Sequence, residues 1–392
     1  MSRLKFAMLA AAAAMMTTTA MAADDLTASL PDELKALYVD AAQGLMPSAY
    51  DNFTPKAKPW KWCHSESYQG NPWRVSLTNE LRRLVDGLIA KGDASSFEVS
   101  DSNGDVSQQI NQIRTFIESG CSIITAIPGS STGLDDVIKA SYDAGIPFVT
   151  ISAYVTSPYA INVDSNYNRW GLEMMEAIGK SLDGKGNVLL VEGIAGAPIV
   201  EMERAGADKV LAEYPDLKVV RAVNGNWTAN VTKTVVLQAL ATNPTPVDAV
   251  WTTGSEARVV AEAFAEAGRP APVITGSITG DSLGYWKANP DKFRFEGHAV
   301  LPGWNAQALF RVGLRILEGQ KPKLNVIMIP IPAVSGAELD KWYQDCMTPD
   351  SVSVFPVPPT DPMPEQLMDA YFTNPASIGF DYSQVPGACA AQ

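Results

Sequence analysis

Short apolar runs alternate with longer amphipathic stretches from Trp60 onward. Strands that alternate with helices in this way build parallel sheets with right-handed crossovers. The elements predicted for the first half are, in chain order, strand 60–64, helix 73–91, strand 97–99, helix 107–119, strand 121–127, helix 134–144 and strand 146–151.

The same alternation starts again near residue 165. It predicts helix 167–181, strand 187–191, helix 199–213, strand 217–222, helix 229–242, strand 247–252, helix 255–267 and strand 272–275. Each half therefore predicts its own doubly wound parallel sheet, and the fold class expected is α/β with two such lobes. Ligands of doubly wound sheets bind outside the carboxyl ends of the strands, so the loops that leave the strands are expected to carry the site.

Two segments do not fit the alternation, residues 23–57 and residues 329–392. The second is rich in proline, which prevents a regular helix or a central strand. We expect both segments to be extensions that pack on the surface of the lobes.

The amino terminus has the pattern of a cleavable signal peptide. Arg3 and Lys5 precede an apolar run from Phe6 to Met16, and small residues stand at Ala20 and Ala22. The run is shorter than the roughly 20 residues that cross a bilayer, and no cysteine follows it to take a lipid. Residues 1–22 are therefore predicted to direct export to the periplasm.

The net charge of the chain limits the kinds of molecule that it is expected to bind. The chain has 43 acidic and 30 basic residues, a net charge of −13, and 46% of its residues are hydrophobic. An acidic surface repels nucleic acid and anionic lipid and favours solubility. We therefore expect packed cores and no role with nucleic acid.

The chain has four cysteines, and an exported chain meets an oxidising compartment that favours disulfides. Four cysteines allow three connectivities. Cys63 and Cys121 fall on the first and third strands, which are neighbours in a doubly wound sheet, so these two are expected to pair. The remaining pair, Cys346 and Cys389, would close a loop in the proline-rich tail. A metal site is disfavoured because there is no close cysteine pair and the chain has only two histidines.

Two motifs suggest cofactor sites but are incomplete. Asp101 to Asp105 has the spacing of an opening calcium loop, yet Val106 and Gln112 stand where that loop needs glycine and glutamate. The run from Gly193 to Gly196 lacks the basic residue of a phosphate loop. No Ser/His/Asp set is convincing with two histidines. We expect no cofactor, no metal and no catalysis.

Several features occur in an order that is typical of one family. They are the Asn71-Pro72-Trp73 turn after the first strand, the helix, buried strand, helix and Gly-Ile-Pro strand from Gln109 to Thr150, the strand and loop from Val191 to Gly196, and Trp227 in the second half. Over residues 58–328 the chain resembles the periplasmic sugar-binding proteins of the ribose-binding type, which serve ABC importers.

The resemblance implies two lobes joined by three crossing segments, with a sugar enclosed when the hinge closes. Lobe 1 would comprise residues 58–162 plus 300–328, and lobe 2 residues 163–299. The expected function is to capture a sugar or a sugar-like polyol and deliver it to an ABC permease, as a monomer. The alternative is a periplasmic sensing protein that docks to a chemotaxis or signalling receptor. An exported enzyme on the same scaffold is a third possibility.

A sugar needs flat aromatic rings for its C–H faces and polar groups for its hydroxyls. Trp73 and Trp227 stand in polar loops of different lobes and are the predicted stacking pair, although a tryptophan at a helix start can also pack on its own helix. Asn71 and Arg74 are predicted to bind hydroxyls. Their structural alternatives are a turn before Pro72 and a solvated surface arginine.

Further candidates follow other strands or match family positions. The predicted ligand contacts are Tyr68, Tyr154, Glu201, Glu256, Asp281, His298 and Trp304, with Ser255, Asp164 and Asn166 nearby. For Glu201 the alternative is an exposed helical side chain, and for Asn166 it is capping of the next helix.

Four positions depart from the ribose-binding pattern. Ser152 and Ala153 replace an Asp-Arg pair, Gly254 replaces an asparagine, and Val300 replaces a glutamine. Ribose is therefore disfavoured, and the resemblance favours a different sugar, a polyol or a sugar derivative.

Overall fold

The first lobe is built on a six-stranded sheet. The computed structural model of the protein describes residues 23–41 and 43–390, and the predicted signal peptide lies outside these ranges. Two short helices, α1 (Ala23–Thr27) and α2 (Asp32–Lys35), precede the lobe. The lobe then contains β1 (Trp60–Glu66), α3 (Pro72–Lys91), β2 (Ala94–Asp101), α4 (Val106–Glu118), β3 (Ile123–Ile127), α5 (Asp135–Asp143), β4 (Phe148–Ile151) and β5 (Ala160–Asp164).

The second lobe repeats this arrangement. It contains α6 (Tyr167–Ser181), β6 (Lys185–Glu192), α7 (Pro198–Glu213), β7 (Asp216–Asn224), α8 (Ala229–Thr242), β8 (Ala249–Thr252), α9 (Ala257–Glu266), β9 (Val273–Ser277), α10 (Gly280–Ala288) and β10 (Arg294–His298). The chain then adds α11 (Pro302–Leu317) and β11 (Val326–Met328) to lobe 1, and β12 (Ala333–Val334) to lobe 2.

Both sheets have the strand order of a doubly wound fold. Lobe 1 reads β11-β5-β4-β3-β1-β2 with every described pairing parallel, and lobe 2 reads β12-β10-β9-β8-β6-β7, where only β12 pairs antiparallel. Strands β3, β4 and β5 are buried at every position, as expected for strands covered by helices on both faces. The predicted α/β fold with two doubly wound lobes is confirmed.

Three segments connect the lobes, as predicted. The chain crosses after Asp164 at the end of β5, after His298 at the end of β10, and after Met328 at the end of β11. The first crossing thus falls two residues beyond the predicted limit of lobe 1, because β5 continues to Asp164 and pairs there with β11.

The amino-terminal extension packs against the hinge side of lobe 1. The Tyr38 hydroxyl donates to the Val326 carbonyl at 2.7 Å, and the Gln43 amide donates to the Asp164 carboxylate at 2.9 Å. Leu34 and Tyr50 are buried. The segment therefore contributes to the core in addition to covering its surface.

The carboxyl-terminal extension contacts both lobes. It contains two short helices, α12 (Leu339–Trp342) and α13 (Glu365–Asp369), and its proline-rich remainder has no longer element. Residues 336–354 pack on lobe 2, and residues 361–380 pack on lobe 1. Several apolar side chains of this tail are buried in the main core, namely Met347, Met363, Met368, Tyr371 and Phe372.

Both predicted disulfides are present. Cys63 and Cys121 are joined with Cα atoms 6.1 Å apart, and Cys346 and Cys389 with Cα atoms 5.7 Å apart. The first pairing follows from the parallel contact between β1 and β3, since Cys121 stands two positions before the start of β3. Within the described residues, no helix is long and apolar enough to cross a membrane.

Candidate functional site

A cavity of about 310 Å³ lies between the two lobes. Lobe 1 lines it with the loop after β1 and the loop after β4, and lobe 2 lines it with the loops after β7, β8 and β9 and with α6 and α7. These are the carboxyl ends of the parallel strands, where doubly wound sheets bind ligands. The volume is that of a site for a small molecule.

Aromatic rings from both lobes line this cavity. Trp73 belongs to the first turn of α3 in lobe 1, and Trp227 belongs to the loop between β7 and α8 in lobe 2. Tyr167 and Trp170, on the first turn of α6, line it as well and were not predicted. Their signal was present in the sequence, because α6 directly follows the first crossing and its first turn must face the cleft.

The position of Trp227 depends on two glycines. Asn226 and Trp227 both have positive φ, 56° and 49°, which turns the loop sharply toward the cleft. A Cβ atom on Gly193 would lie 2.2 Å from the Trp227 ring, and one on Gly254 would lie 2.8 Å from it and 1.9 Å from Glu256 Oε2. Gly254 therefore replaces the family's asparagine for a steric reason: Trp227 and Glu256 occupy the space that the asparagine would fill.

Asn71 and Arg74 are held by the start of α3. The Asn71 Oδ1 atom accepts from the Arg74 backbone N–H at 3.0 Å and so caps the helix, with Pro72 at its first position. The Arg74 guanidinium donates to Glu66 Oε2 at 3.1 Å and to the Ser67 hydroxyl at 3.0 Å. Both residues line the cavity, and the buried Glu66 carboxylate fixes the guanidinium on the lobe 1 side.

Three carboxylates from lobe 2 line the cavity: Glu203, Glu256 and Asp281. Asp281 forms an ion pair with Arg258 at 2.8 Å, and Glu203 accepts from the Thr253 hydroxyl at 2.8 Å. Burial raises the pKa of Glu203 to about 8. Burial, and secondarily repulsion from Asp281, raises the pKa of Glu256 to about 8.

Because of these two raised pKa values, the lobe 2 side of the cavity can both donate hydrogen bonds to hydroxyl groups and accept hydrogen bonds from them. A protonated carboxyl donates one hydrogen bond and accepts others, whereas an ionised carboxylate only accepts. Near neutral pH, Glu203 and Glu256 are therefore able to donate to a ligand oxygen.

Glu203 was missed by the sequence analysis, which chose Glu201 instead. Helix α7 buries Val200, Glu203, Gly206 and Val210, spaced three and four residues apart, while Glu201 is exposed on the opposite face and does not line the cavity. The apolar periodicity of α7 was the signal that identifies Glu203, because a charged residue on an apolar helix face is rare unless it serves a site.

Four other predicted ligand contacts also lie outside the cavity. The Tyr154 hydroxyl donates to the Gly44 carbonyl in the amino-terminal extension, and the Tyr68 ring covers Gly70. His298 contacts Glu173 at 3.2 Å, behind Trp170. Trp304 is buried in the core, where its indole N–H donates to Pro330.

Of the three further candidates Ser255, Asp164 and Asn166, Ser255 lines the cavity and the other two do not. Asn166 caps α6 by accepting from the Arg169 N–H at 2.9 Å, and Asp164 is buried against Gln43. Ser152 and Val300, which replace family residues that read ribose hydroxyls, also line the cavity.

No group of three or more potential metal ligands occurs among the residues that the structure describes. The cavity carboxylates are engaged by Arg258 and Thr253 or raised in pKa, which does not favour a cation bound by carboxylates alone.

Comparison with known proteins identifies the fold and the family. The family model for a periplasmic binding protein domain matches residues 65–297. A solved structure of an ABC transporter solute binding protein from Thermobispora bispora is 28% identical, covers 74% of this chain and 90% of its own, and superposes with a TM-score of 0.68.

Two curated proteins are related in sequence. The chain is 27% identical over 195 residues to a xylitol-binding protein of Mycolicibacterium smegmatis, covering 49% of this chain and 56% of that protein. It is 25% identical over 222 residues to a galactofuranose-binding protein of Escherichia coli, covering 53% of this chain and 67% of that protein. The matches thus span between about half and two thirds of these relatives' lengths. The lobes, the cleft and the family match lead to one conclusion: this chain belongs to the periplasmic binding protein family.

Proposed function

We propose that this protein is the solute-binding component of an ABC importer. It captures a sugar or a sugar-like polyol in the cavity between its lobes and delivers it to a membrane permease. In this proposal it acts as a monomer in the periplasm and performs no catalysis. The two disulfides fit an oxidising compartment, and the related proteins named above bind polyols and sugars.

The observation that carries the proposal is that Trp73 and Trp227 line the same cavity. Each tryptophan comes from a different lobe, so a flat ligand between them would contact both lobes at once. A ligand that binds both lobes favours their closed arrangement by its differential affinity for it. The same contact therefore serves binding and the hinge motion.

The polar lining supports a polyhydroxylated and uncharged ligand. Glu203, Glu256 and Asp281 supply acceptors and, where protonated, donors for hydroxyl groups. A ligand carboxylate or phosphate would meet three carboxyl groups, and Arg74 is already paired with Glu66. We therefore expect neutral sugars and polyols to bind in preference to sugar acids and sugar phosphates.

A thermal-shift screen of residues 23–392 against pentoses, hexoses in pyranose and furanose form, linear polyols, inositols and sugar acids tests this proposal. A ligand at about 100 times its dissociation constant adds roughly 2.7 kcal/mol to stability. We expect a neutral compound to give the largest shift, with calorimetry confirming one site. If only acids bind, or if no sugar or polyol binds, the proposal is wrong.

Transport is tested separately, by reconstituting the protein with its permease and ATPase in vesicles. We expect the bound solute to stimulate ATP hydrolysis and to be recovered unchanged inside the vesicles. Binding without uptake, together with capture of a receptor domain, would instead support the sensing alternative. Chemical conversion of the solute would support an enzyme.

A further inference from the structure

The carboxyl-terminal extension reaches the ligand cavity. Val352 and Phe355 line the cavity together with the residues from the two lobes. Ser353, between them, lines a surface groove together with Asn71 and Val75 at the start of α3. The segment 351–355 therefore lies across the mouth of the cleft. It falls outside residues 65–297, which the family model matches.

The segment is anchored on lobe 2 by close backbone contact. The Gly280 N–H donates to the Val354 carbonyl at 2.7 Å, which satisfies the first amide of α10. Gly280 and Gly284 form a smooth face there: a Cβ on Gly280 would lie 2.7 Å from Val354 Cβ, and one on Gly284 would lie 2.4 Å from the Thr348 backbone. Only glycine at these two positions allows the tail to approach α10 so closely.

Beyond the cleft the tail is anchored on lobe 1 by buried charge. The Arg311 and Arg315 side chains of α11 are buried, and they pair with Asp361 at 3.0 Å and Asp369 at 2.6 Å. The Cys346–Cys389 disulfide joins the start of the tail to its end. The segment at the mouth is thus fixed on both sides, and it passes from lobe 2 to lobe 1 through Pro356, Pro358 and Pro359, which stiffen the connection.

Val352 is an exposed apolar side chain, with 42% of its surface accessible, at a position that lines the cavity. Phe355 is half-buried beside it. The interior of the cleft carries carboxyl groups that can bind hydroxyls. An apolar pair at the mouth can instead contact the C–H face of the outermost part of a bound solute.

We infer that Val352 and Phe355 form the outer wall of the ligand site and determine solute specificity, limiting the solute to one that ends inside the cleft. This inference rests on the proposed function. The extension is then part of the binding site, and single sugars and short polyols are admitted whereas glycosides extended at the outer end are excluded.

Removal of the tail is not a usable test, because it would leave Arg311 and Arg315 buried without partners. Point variants are better. Phe355→Ala and Val352→Ala each remove side-chain atoms from the outer wall. Phe380→Ala is the matched control, because it changes the same residue type in the same extension, where the ring packs over Arg311 and not at the cleft.

The first measurement is calorimetry with xylitol, D-xylose and xylobiose. We expect Phe355→Ala to weaken binding of the single unit by about 5–50-fold, as truncation of an aromatic side chain that contacts a ligand does, and to improve the affinity for the disaccharide relative to the single unit. Phe380→Ala should leave both affinities unchanged. The inference would be overturned if Phe355→Ala and Phe380→Ala had equal effects, or if Phe355→Ala left the ratio of disaccharide affinity to single-unit affinity unchanged.

The second measurement needs no sugar and so separates this inference from the proposed function. All four cysteines are in disulfides, so Ser255→Cys introduces a single thiol in the cavity. A bulky maleimide should label this thiol several-fold faster when Phe355→Ala or Val352→Ala is added, and at an unchanged rate with Phe380→Ala. If no probe sugar binds but this result holds, the proposed solute class fails and the outer wall stands. If the labelling rates are all equal, the outer wall is wrong.

Discussion

The indole N–H of Trp73 donates to the carbonyl of Val300 at 2.8 Å. Val300 lies on the second crossing between the lobes, and its carbonyl also accepts from the Ser277 hydroxyl of lobe 2 at 3.2 Å. One carbonyl of the hinge therefore joins a ring of the cavity wall in lobe 1 to the end of β9 in lobe 2. A ligand that contacts Trp73 acts on a residue that is bonded to the hinge.

The first prediction separates the ring of Trp73 from its hydrogen bond. Trp73→Phe keeps a flat ring and removes the donor, so it should lower the free energy of unfolding by about 1 kcal/mol and weaken sugar binding only modestly. Trp73→Ala removes the ring as well and should weaken binding at least tenfold. Denaturant titration and calorimetry measure the two effects. Equal affinity losses in both variants would show that the ring makes no contact with the sugar.

The second prediction concerns Trp227. Trp227→Ala should weaken ligand binding by on the order of 1–3 kcal/mol, in the range of other aromatic anchors, with the far-ultraviolet dichroism unchanged. Tyr154→Phe is the control, since its ring lies outside the cavity and loses only a hydroxyl bonded to Gly44. Unchanged affinity in Trp227→Ala would remove this residue from the site.

The third prediction tests the steric role of Gly254. A methyl group there would overlap Glu256 Oε2 and the Trp227 ring, so Gly254→Ala should displace both and reduce affinity by more than tenfold. Gly87→Ala, inside α3 with no atom within 4 Å of the added methyl, should raise the free energy of unfolding by about 0.5–1 kcal/mol and leave affinity unchanged. Wild-type affinity in Gly254→Ala would show that the glycine is not required for the site.

The fourth prediction is a pH dependence of stability. Burial raises the pKa of Glu256 from its ordinary value of 4.5 to about 8, so between these values the folded protein holds a proton that the unfolded chain releases. The stability of the unliganded protein should therefore fall as pH rises through this window, by about 2–4 kcal/mol for this group. The carboxyl of Glu203 contributes in the same direction.

Glu256→Gln remains neutral at every pH and provides the test. Its free energy of unfolding should exceed that of the wild type above pH ~8 and should lose that advantage below pH ~5. Urea titrations across this range measure the difference. A difference that does not change with pH would show that the carboxyl is ionised throughout, contrary to its buried position.

The fifth prediction concerns the anchor of the tail. Asp361→Asn leaves the buried Arg311 guanidinium without a charge partner and should destabilise the fold by on the order of 3 kcal/mol. Asp340→Asn is the control, because its ion pair with Lys287 is exposed and such pairs contribute about 0–1 kcal/mol. Similar midpoints for the two variants in a denaturant titration would show that the tail is not held by Arg311.

Local pattern in the sequence predicted much of the fold and part of the site. The alternation of strands and helices, the pairing of Cys63 with Cys121, and the loops that carry Asn71, Trp73, Arg74 and Trp227 all follow from periodicity and from the topology of parallel sheets. Residues directly after a strand share one edge of the sheet, so their meeting could be expected from order along the chain.

Other parts of the cavity depended on the tertiary structure. Which face of α7 meets the cleft selects Glu203 over Glu201, and a difference of two positions turns a helical side chain to the other side. The burial that raises the pKa of Glu256 exists only in the folded chain. The proline-rich tail has no hydrophobic periodicity from which its path over the lobes could be predicted.

The sequence by itself determined the two lobes, because these follow from local periodicity and sheet topology, whereas the crossings and the class of site were implied by the resemblance to a family. Only the tertiary structure decided that Val352 and Phe355, more than a hundred residues from Trp227, lie at the same cavity. Their position is set by contacts with α10 and α11 that are distant along the chain, and no local pattern encodes such contacts.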